Sequence, residues 1–488
     1  MRLYSETKDY KLFHGNMLDM LKVIEPNTID SIVTDPPYEL NFMGKGWDNA
    51  GVSFQPDTWK RCFEVLKPGG YLLAFGGSRT FHRIACAIED AGFEIRDTIM
   101  WLYGSGFPKS MNIGLAIDKK NGVESPVVGQ NQAILKKQAK DLREGHRKIV
   151  DSLNDGAQDR NNGFKTVSAD IKEAQNEWKG WGSCLKPSFE PIIVARKPFT
   201  GSLVENVMEY GVGGLNIDEC RVPANPGEYD IRHYTNEDCF QNLKPKESKF
   251  QVKSQPDGRF PANTILTYDE TDYEEVCGGF PKDKGYKPHK VYSNIEKYDG
   301  YGSITKKNGE LIGYGDSGSA SRYFYCAKAS KKDRDEGLEE FNEKSTSELQ
   351  GGRKENSKGS VMLDDEYHKG RKNPVNPYAG AGTQKRNIHP TVKPTELMQY
   401  LVRLVTPNGG TILDPFNGSG STGKAAMYEN RERNKDYKYI GIELTEEYLP
   451  IAKARIEYPL TCVLHNDKKE TKVTKQVVTE QNKEVSLW

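Results

Sequence analysis

Residues 34–40 read TDPPYEL and combine an acid, two prolines and an aromatic ring directly after the apolar run IDSIV. A proline fixes φ and lacks an N–H donor, so Pro36 and Pro37 must end a buried strand in a stiff, extended turn. Asp and Pro are common turn residues, so one interpretation is that the turn terminates the strand and does nothing else. It can also present the Asp35 carboxylate, a fixed carbonyl and the Tyr38 ring to a ligand.

A second group of residues lies at 412–423, ILDPFNGSGSTG, between an apolar run and a helical pattern. Glycines in such a strand-to-helix loop let a ligand approach the backbone closely. Glu443 ends the next apolar run, about 25 residues beyond Gly418, where an acid can accept hydrogen bonds from ribose hydroxyls. The spacing indicates a nucleoside-containing cofactor, with a tight turn that binds nothing as the alternative.

The chemistry of that cofactor depends on Asp414. The loop matches the G-x-G-x-x-G pattern of dinucleotide-binding proteins, but this pattern alone is a weak signal. The Asp414 carboxylate would repel a pyrophosphate and attract a cationic or amino-bearing ligand. S-adenosylmethionine carries an ammonium and a sulfonium, so the loop favours this cofactor over a dinucleotide.

Together, the two groups resemble the bacterial and phage amino-group DNA methyltransferases in which the catalytic motif precedes the cofactor motif. The resemblance rests on TDPPYEL near the start of the chain and on HPTVKPTEL, ILDPFNGSGSTG and YIGIEL near its end. FHGNMLDML and LKPSFEPIIVARKP are similar to further segments of the family. The resemblance covers roughly residues 10–118, 180–200 and 385–460.

The resemblance implies how the first group acts. Asp35 and the Pro36 carbonyl would accept the two N–H bonds of an exocyclic amino group and localise its lone pair, while Pro37 keeps the carbonyl rigid. Tyr38 would stack on a base rotated out of the duplex. The nitrogen would attack the sulfonium methyl directly, so no cysteine is needed as a nucleophile.

The resemblance also implies a set of residues that bind S-adenosylmethionine. They are Asp19, His389, Thr391, Lys393, Asp414, Pro415, Phe416, Gly418, Gly420 and Glu443. The segment HPTVKP is expected near the methionine end of the cofactor, and Asp19 near its adenine end. His389 is otherwise a capping or packed histidine, and Phe416 is otherwise a core residue.

The first letter of the catalytic motif favours adenine as the target base. Family members that act on cytosine N4 usually resemble Ser-Pro-Pro-aromatic at this motif, whereas those that act on adenine N6 usually show Asp. The predicted reaction is therefore methylation of adenine N6 in double-stranded DNA. Methylation of cytosine N4, or of an amino group in RNA or protein, is the alternative.

A basic segment interleaved with aromatic residues predicts a DNA-facing surface. Its basic residues are Lys328, Lys331, Lys332 and Arg334, and its aromatic residues are Tyr323, Phe324 and Tyr325. Acids at 333, 335 and 336 dilute the positive charge, so a solvated helix start is an equal alternative.

These residues need an α/β framework to position them. Apolar runs predict strands at 29–33, 71–75, 95–101, 190–196, 411–414 and 438–443. Helical patterns lie between them at 54–66, 79–91, 395–405 and 421–430. This alternation predicts a Rossmann-like methyltransferase fold with a mostly parallel sheet and a large loop-rich insertion.

The chain divides into six predicted segments. They are the catalytic half of the core (1–118), a charged insertion (119–180), a core strand segment (181–200), a target-recognition insertion (201–384), the cofactor-binding half of the core (385–460) and a flexible tail (461–488). The recognised DNA sequence and the role of 119–180 cannot be read from these residues.

Composition narrows the class of protein further. The chain has 69 basic and 69 acidic residues, so any nucleic-acid surface must be local. Its eight cysteines form no C-x-x-C pair, which argues against a zinc site, and we expect no bound metal. No apolar signal or membrane-spanning stretch is visible, so we expect a cytoplasmic protein of a bacterium or a phage-infected cell. Whether it forms a homodimer, or has a partner nuclease, is open.

Overall fold

The computed structural model describes residues 2–40, 48, 51–104, 110–130, 170–222, 258–268, 277, 280, 318–327, 332–345 and 384–461, together with short strands between 282 and 312. In chain order the strands are β1 (Arg2–Glu6), β2 (Tyr10–His14), β3 (Ile29–Thr34), β4 (Leu66–Phe75), β5 (Glu94–Tyr103), β6 (Val127–Gln130), β7 (Asp170–Lys172), β8 (Phe189–Arg196), β9 (Thr264–Thr267), β10 (Lys282–Asp283), β11 (His289–Val291), β12 (Ile295–Tyr298), β13 (Ile304–Lys306), β14 (Glu310–Ile312), β15 (Gly318–Ser319), β16 (Tyr325–Cys326), β17 (Lys344–Ser345), β18 (Gln384–Lys385), β19 (Thr411–Asp414) and β20 (Lys438–Glu443). The α-helices are α1 (Met17–Met20), α2 (Pro56–Val65), α3 (Phe81–Asp90), α4 (Ile113–Lys120), α5 (Leu203–Tyr210), α6 (Thr395–Val405), α7 (Ser421–Arg433) and α8 (Leu449–Thr461).

One ten-stranded sheet dominates the structure, with the strand order β1-β2-β20-β19-β3-β4-β8-β5-β9-β16. Strands β2, β20, β19, β3 and β4 are parallel, and β5, β9 and β16 run in the same direction. β8 lies antiparallel between β4 and β5, and β1 is antiparallel to β2. The predicted Rossmann-like fold with a mostly parallel sheet is confirmed.

This topology brings several chain segments to one edge of the sheet. The carboxyl ends of β3, β4, β5, β19 and β20 lie there, and the reversed direction of β8 adds its amino end to them. We call this the carboxyl edge. In open α/β sheets, ligands bind outside the carboxyl ends of the strands.

Consecutive apolar residues along the strands explain why helices cover both faces of the sheet. Val33 and Leu73 pack in one buried cluster with α6, α7 and α8, whereas their neighbours Ile32 and Leu72 pack in another with α2 and α3. Successive side chains of a strand point to opposite faces, so an apolar run of this kind is buried on both sides.

All the predicted strands and helices outside the insertions are present, with bounds that differ by a few residues. The largest difference is in β4, which begins at Leu66 instead of residue 71. The four residues KPGG at 67–70 bulge out of the ladder, because Ile29 pairs with Leu66 and Ser31 pairs with Tyr71. Gly69 has a φ of +80° in this bulge and donates its N–H to the Lys197 carbonyl.

Parts of the segment 201–384 belong to the core. Strand β9 pairs with β5 and strand β16 pairs with β9, so both extend the main sheet. Residues 333–337 contact α6 and α7 through side-chain hydrogen bonds, and Gly337 packs closely against α8. The six segment boundaries stay predictions. Within the described part of the chain, no helix is both long and apolar enough to cross a membrane.

Candidate active site

The carboxyl edge carries a cluster of polar and aromatic side chains around Asp35. Asp35 follows the last residue of β3, and Phe75 and Tyr103 end β4 and β5. Glu190 reaches the same place from β8, where it pairs in register with Trp101. The sheet therefore assembles groups that are far apart in the chain.

Asp35 and Lys393 form the centre of this cluster. Lys393 Nζ lies 2.6 Å from Asp35 Oδ2 and 3.5 Å from Glu190 Oε2. Its ammonium also lies 4.8 Å from the centre of the Phe75 ring and 5.3 Å from that of Tyr38. Burial alone would lower the pKa of Lys393, but the two carboxylates outweigh it and raise the pKa above its ordinary value. The lysine is therefore a fixed cation.

The other oxygen of Asp35 has a different environment. Oδ1 is buried and has no hydrogen-bond partner among the described residues. A buried acceptor without a donor costs about 1–3 kcal/mol, so native proteins rarely leave one unpaired. Lys393 thus binds one carboxylate oxygen of Asp35, and the other oxygen is available to a ligand that donates a hydrogen bond.

The turn after Asp35 is held rigidly. The Tyr38 hydroxyl donates to Glu190 Oε2 at 2.7 Å, and the Tyr103 hydroxyl donates to Oε1 at 3.3 Å. The backbone carbonyls of residues 37 and 38 accept from Ser53 Oγ at 2.7 Å and Thr80 Oγ1 at 2.9 Å. Burial, with the nearby carboxylates, raises the pKa of Tyr38 well above its ordinary value, so its hydroxyl stays a donor. The ring orientation is set before any ligand arrives.

The glycine loop lies beside this cluster and is tied to it through Asp414. Asp414 Oδ1 accepts from Thr34 Oγ1 at 2.6 Å and from the Phe416 N–H at 3.1 Å, and Oδ2 accepts from Thr422 Oγ1 at 2.7 Å. Burial raises the pKa of Asp414 to about 6. Thr34 immediately precedes Asp35, so the two predicted motifs share one hydrogen-bond network.

Glu443 closes the glycine loop from the neighbouring strand. Its Oε2 accepts the Gly418 N–H at 2.7 Å, and its Oε1 accepts the Thr445 N–H at 2.7 Å. Burial raises the pKa of Glu443 to about 7. Gly418 has a φ of +50°, and a Cβ there would lie 3.0 Å from His389 Nε2. The loop therefore needs glycine both for its backbone conformation and for the close approach of the histidine.

His389 belongs to a loop that packs against the glycine loop. Its Nδ1 is 2.5 Å from the Thr391 carbonyl, and its ring contacts Tyr448 edge to face at 4.6 Å between ring centres. Burial lowers the pKa of His389 to about 4, so the ring is neutral near pH 7. The neutral ring donates to the Thr391 carbonyl and presents its other side to the glycine loop.

Residues 333–336, which we call the clasp, hold this loop in place. Asp333 caps α6 by accepting from the Thr395 N–H at 2.7 Å and also accepts from buried Lys424 at 2.7 Å. Asp335 accepts the Asn387 N–H at 2.9 Å. Arg334 donates to the backbone carbonyls of Asn387 and His389.

The clasp differs from the prediction of a DNA-facing basic segment. The Arg334 guanidinium donates to backbone carbonyls of the 387–389 loop, an internal contact that the sequence did not predict. Two of the acids that dilute the positive charge in the sequence, Asp333 and Glu336, pair with Lys424, and Asp333 also caps α6. Lys332 is exposed, and Lys328 and Lys331 lie outside the described residues.

The remaining predicted residues divide between the site and the surface. Pro36 and Pro415 are buried within their turns, and Phe416 is half-buried and packs near Trp59 at 6.4 Å between ring centres. Gly420 is the N-cap residue of α7 and has a φ of +75°. Asp19 is exposed and forms an ion pair with Lys22, so the structure does not join it to the other candidates.

Comparison with known proteins places this site in a family. A family model named N6_N4_Mtase and described as DNA methylase matches residues 29–454. The chain belongs to this DNA methylase family. The matched residues include the whole Asp35 cluster, the glycine loop and the clasp.

Individual relatives are type II methyltransferases. M2.LlaDCHI of Lactococcus lactis subsp. cremoris is 34% identical over 244 residues, which are 43% of this chain and 84% of that protein. M.HpaI of Haemophilus parainfluenzae is 33% identical over 111 residues, and the match spans only 34% of its length. Among solved structures, the cytosine-N4-specific PvuII DNA methyltransferase has a TM-score of 0.36 at 13% identity, covering 96% of this chain and 91% of that chain.

Sequence reasoning missed three positions that the fold brings to the Asp35 cluster or to the loop beside it. Glu190, Phe75 and Asp333 were not assigned roles, although all three contact Lys393 or its loop. Glu190 had a weak signal, because an acid beside the apolar run PIIVA is unusual at the start of a buried strand. Its significance depends on the antiparallel direction of β8, which the sequence pattern does not reveal.

Proposed function

We propose that this protein transfers a methyl group from S-adenosylmethionine to the N6 amino group of adenine in double-stranded DNA. The observation that carries the proposal is the unpartnered Oδ1 of Asp35 at the carboxyl edge, within the described part of the structure. An amino N–H of a target base would satisfy this oxygen, and the Pro36 carbonyl would accept the second N–H.

The proposed reaction needs no covalent enzyme intermediate. When bound, S-adenosylmethionine supplies a methyl carbon made electrophilic by a positively charged sulfur. The amino nitrogen forms the new N–C bond as the C–S bond breaks, and the electron pair of that bond returns to sulfur. The nitrogen then carries one extra proton, which Asp35 Oδ1 accepts and passes to water.

Preorganisation is the contribution of the Asp35 cluster. Lys393 holds Oδ2 at 2.6 Å, and Glu190 fixes the Tyr38 hydroxyl at 2.7 Å. The acceptors therefore do not rearrange when the amino group arrives, and the lone pair is localised from the start. The Tyr38 ring stacks on the extruded base and offsets part of the cost of unstacking.

The glycine loop fits the proposed cofactor. Each Glu443 oxygen accepts one backbone N–H and keeps a lone pair that can accept a ribose hydroxyl. Asp414 and the half-buried His389 ring flank the same loop. We assign the nucleoside to the Glu443 side and the methionine end to the side of the loop that faces Asp35.

Adenine is the proposed base because the catalytic motif begins with Asp. The relatives include a cytosine-N4-specific enzyme, so cytosine N4 is the alternative outcome of the same chemistry. We assign target recognition to segment 201–384. We assign the protein a biological role in modifying DNA beside a restriction system, because the relatives are named type II methyltransferases. RNA or a protein side chain is the remaining alternative substrate.

Product analysis tests the proposal. Wild type, Asp35→Asn, and Glu25→Ala as an exposed control are expressed in a host without its own DNA methylation, and the DNA is digested to nucleosides for mass spectrometry. We expect N6-methyladenine from wild type and the control, and a loss of at least about 100-fold in Asp35→Asn. N4-methylcytosine would change the base but keep the mechanism. Neither product, from protein that binds S-adenosylmethionine by calorimetry, would refute DNA as the substrate.

A further inference from the structure

A segment inserted between β5 and β8 forms a separate small structure at the carboxyl edge. We call residues 110–130 and 170–188 the rim module. The chain leaves the sheet after Tyr103 and returns at Phe189, and both points lie at the carboxyl edge. The adjoining side chains Tyr103 and Glu190 belong to the Asp35 cluster. The rim module therefore stands on the same side of the sheet as the candidate active site.

The rim module is held together by a buried carboxylate. Asp118 accepts from the Gln175 N–H at 2.7 Å, Asn176 Nδ2 at 2.6 Å and Ser125 Oγ at 2.9 Å. A backbone hydrogen bond also joins residues 110–130 to residues 170–188, since the Ile113 N–H donates to the Trp181 carbonyl at 3.0 Å. These contacts fix the backbone that carries Trp178 and Trp181.

The rim module displays large apolar side chains to solvent. Trp178 is 39% exposed, Trp181 is 59% exposed and Leu185 is 93% exposed. The two indole rings are in edge-to-face contact at 5.2 Å between centres. Exposed apolar groups on a well-bonded backbone mark interaction surfaces, because burying them on a partner recovers hydrophobic free energy without ordering a loop.

The charge of this stretch indicates the chemistry of the partner. Residues 178–188 read WKGWGSCLKPS, with two lysines and no acid. Both lysines are exposed, Lys179 pairs with Glu173 at 2.5 Å, and Glu177 precedes the stretch. An exposed ion pair contributes little free energy, so a phosphate can compete with Glu173 for the Lys179 ammonium. Aromatic rings interleaved with lysines suit nucleic acid, since the rings stack on bases and the ammonium groups attract phosphates. A wholly apolar partner would not need the lysines.

We propose that Trp178, Trp181 and Leu185 form a contact surface for the DNA strand beside the extruded base. This inference rests on the proposed function, because it assigns a second DNA-contacting site to the same enzyme. Extruding a base leaves its neighbours partly unstacked, and exposed aromatic or apolar side chains can cover them. The chain connects this surface directly to Glu190, which orients the Tyr38 ring.

The test compares Trp178→Ser/Trp181→Ser with Trp181→Phe and with Met208→Ser, an exposed apolar control on α5. The substrate is linear plasmid DNA from a host without DNA methylation. Loss of base stacking predicts that the double variant raises the KM for DNA by about tenfold or more, whereas Trp181→Phe and the control stay within about threefold. The Kd for S-adenosylmethionine, measured by calorimetry, should stay within about twofold in all variants. Quenching of tryptophan fluorescence by DNA should be smaller in the double variant than in wild type.

Three results would overturn the inference. An unchanged KM for DNA in the double variant would remove the surface from the DNA interface. A change of oligomeric state by sedimentation, with an unchanged KM, would make it a self-association surface. Greater quenching of tryptophan by iodide after deletion of residues 131–169 would show that the chain covers its own surface. If wild type methylates no DNA, the proposed function fails first, so the two failures are distinguishable.

Discussion

Replacement of Lys393 by Met tests whether this lysine orients Asp35 or binds the cofactor. The Nζ to Oδ2 distance is 2.6 Å, and the lysine and aspartate side chains are 7% and 22% exposed. Removing one partner of a buried pair costs about 3–5 kcal/mol, and the partial exposure of Asp35 reduces this to about 2–3 kcal/mol. We expect Lys393→Met to lower the free energy of unfolding by this amount.

A double-mutant cycle isolates the interaction. Urea unfolding of Lys393→Met, Asp35→Asn and the double variant should give a coupling energy of about 1–3 kcal/mol. The surface pair Arg61 and Glu64, 2.7 Å apart, provides a matched control with an expected coupling below about 0.5 kcal/mol. Because Lys393 contacts Asp35 directly, its loss should lower kcat by about 100-fold while the Kd for S-adenosylmethionine stays within about threefold.

The opposite pattern would refute this reasoning. A tenfold or larger increase in the Kd for S-adenosylmethionine, with additive stability effects in the cycle, would make Lys393 a cofactor contact and remove it from the Asp35 cluster. Calorimetry and single-turnover kinetics on the same preparations separate the two outcomes.

Three further predictions concern the cofactor side of the site. Burial raises the pKa of Glu443 to about 7 and of Asp414 to about 6, so the folded protein holds these protons more tightly than the unfolded chain. Stability from these groups is therefore lost as pH rises from about 4 to 7. The affinity for S-adenosylmethionine should increase as pH rises from about 5 to 8, with protons released by the protein to the buffer. Glu443→Gln should flatten the upper part of this pH profile in calorimetry. Gly423→Ala should lower the free energy of unfolding by about 1–3 kcal/mol in urea titrations, because its Cβ would lie 2.5 Å from the Tyr439 ring and 2.8 Å from the Ile456 side chain. Arg334→Ala should raise the Kd for S-adenosylmethionine about tenfold by releasing the His389 loop, whereas Lys332→Ala should leave it unchanged, and equal affinities for the two variants would show that the clasp does not position the loop.

The sequence alone determined the local elements of this protein. Apolar runs and glycine or proline breaks predicted β3, β19, β20 and α6 almost to the residue, because strand and helix periodicity depend on neighbouring positions. The DPPY turn and the glycine loop were visible for the same reason. Each is a short stretch whose residue types restrict its own backbone.

Only the tertiary structure decided which side chains meet. Lys393 and Asp35 are 358 residues apart in the chain, and Tyr38 and Glu190 are 152 residues apart. Their contacts depend on strand order and on the antiparallel direction of β8 between β4 and β5. Arg334 is a further example, because its basic sequence neighbours predict a DNA-facing surface, whereas its guanidinium contacts backbone carbonyls of the 387–389 loop. Composition and spacing describe what a residue can do, but burial and the partners brought by distant segments decide what it does.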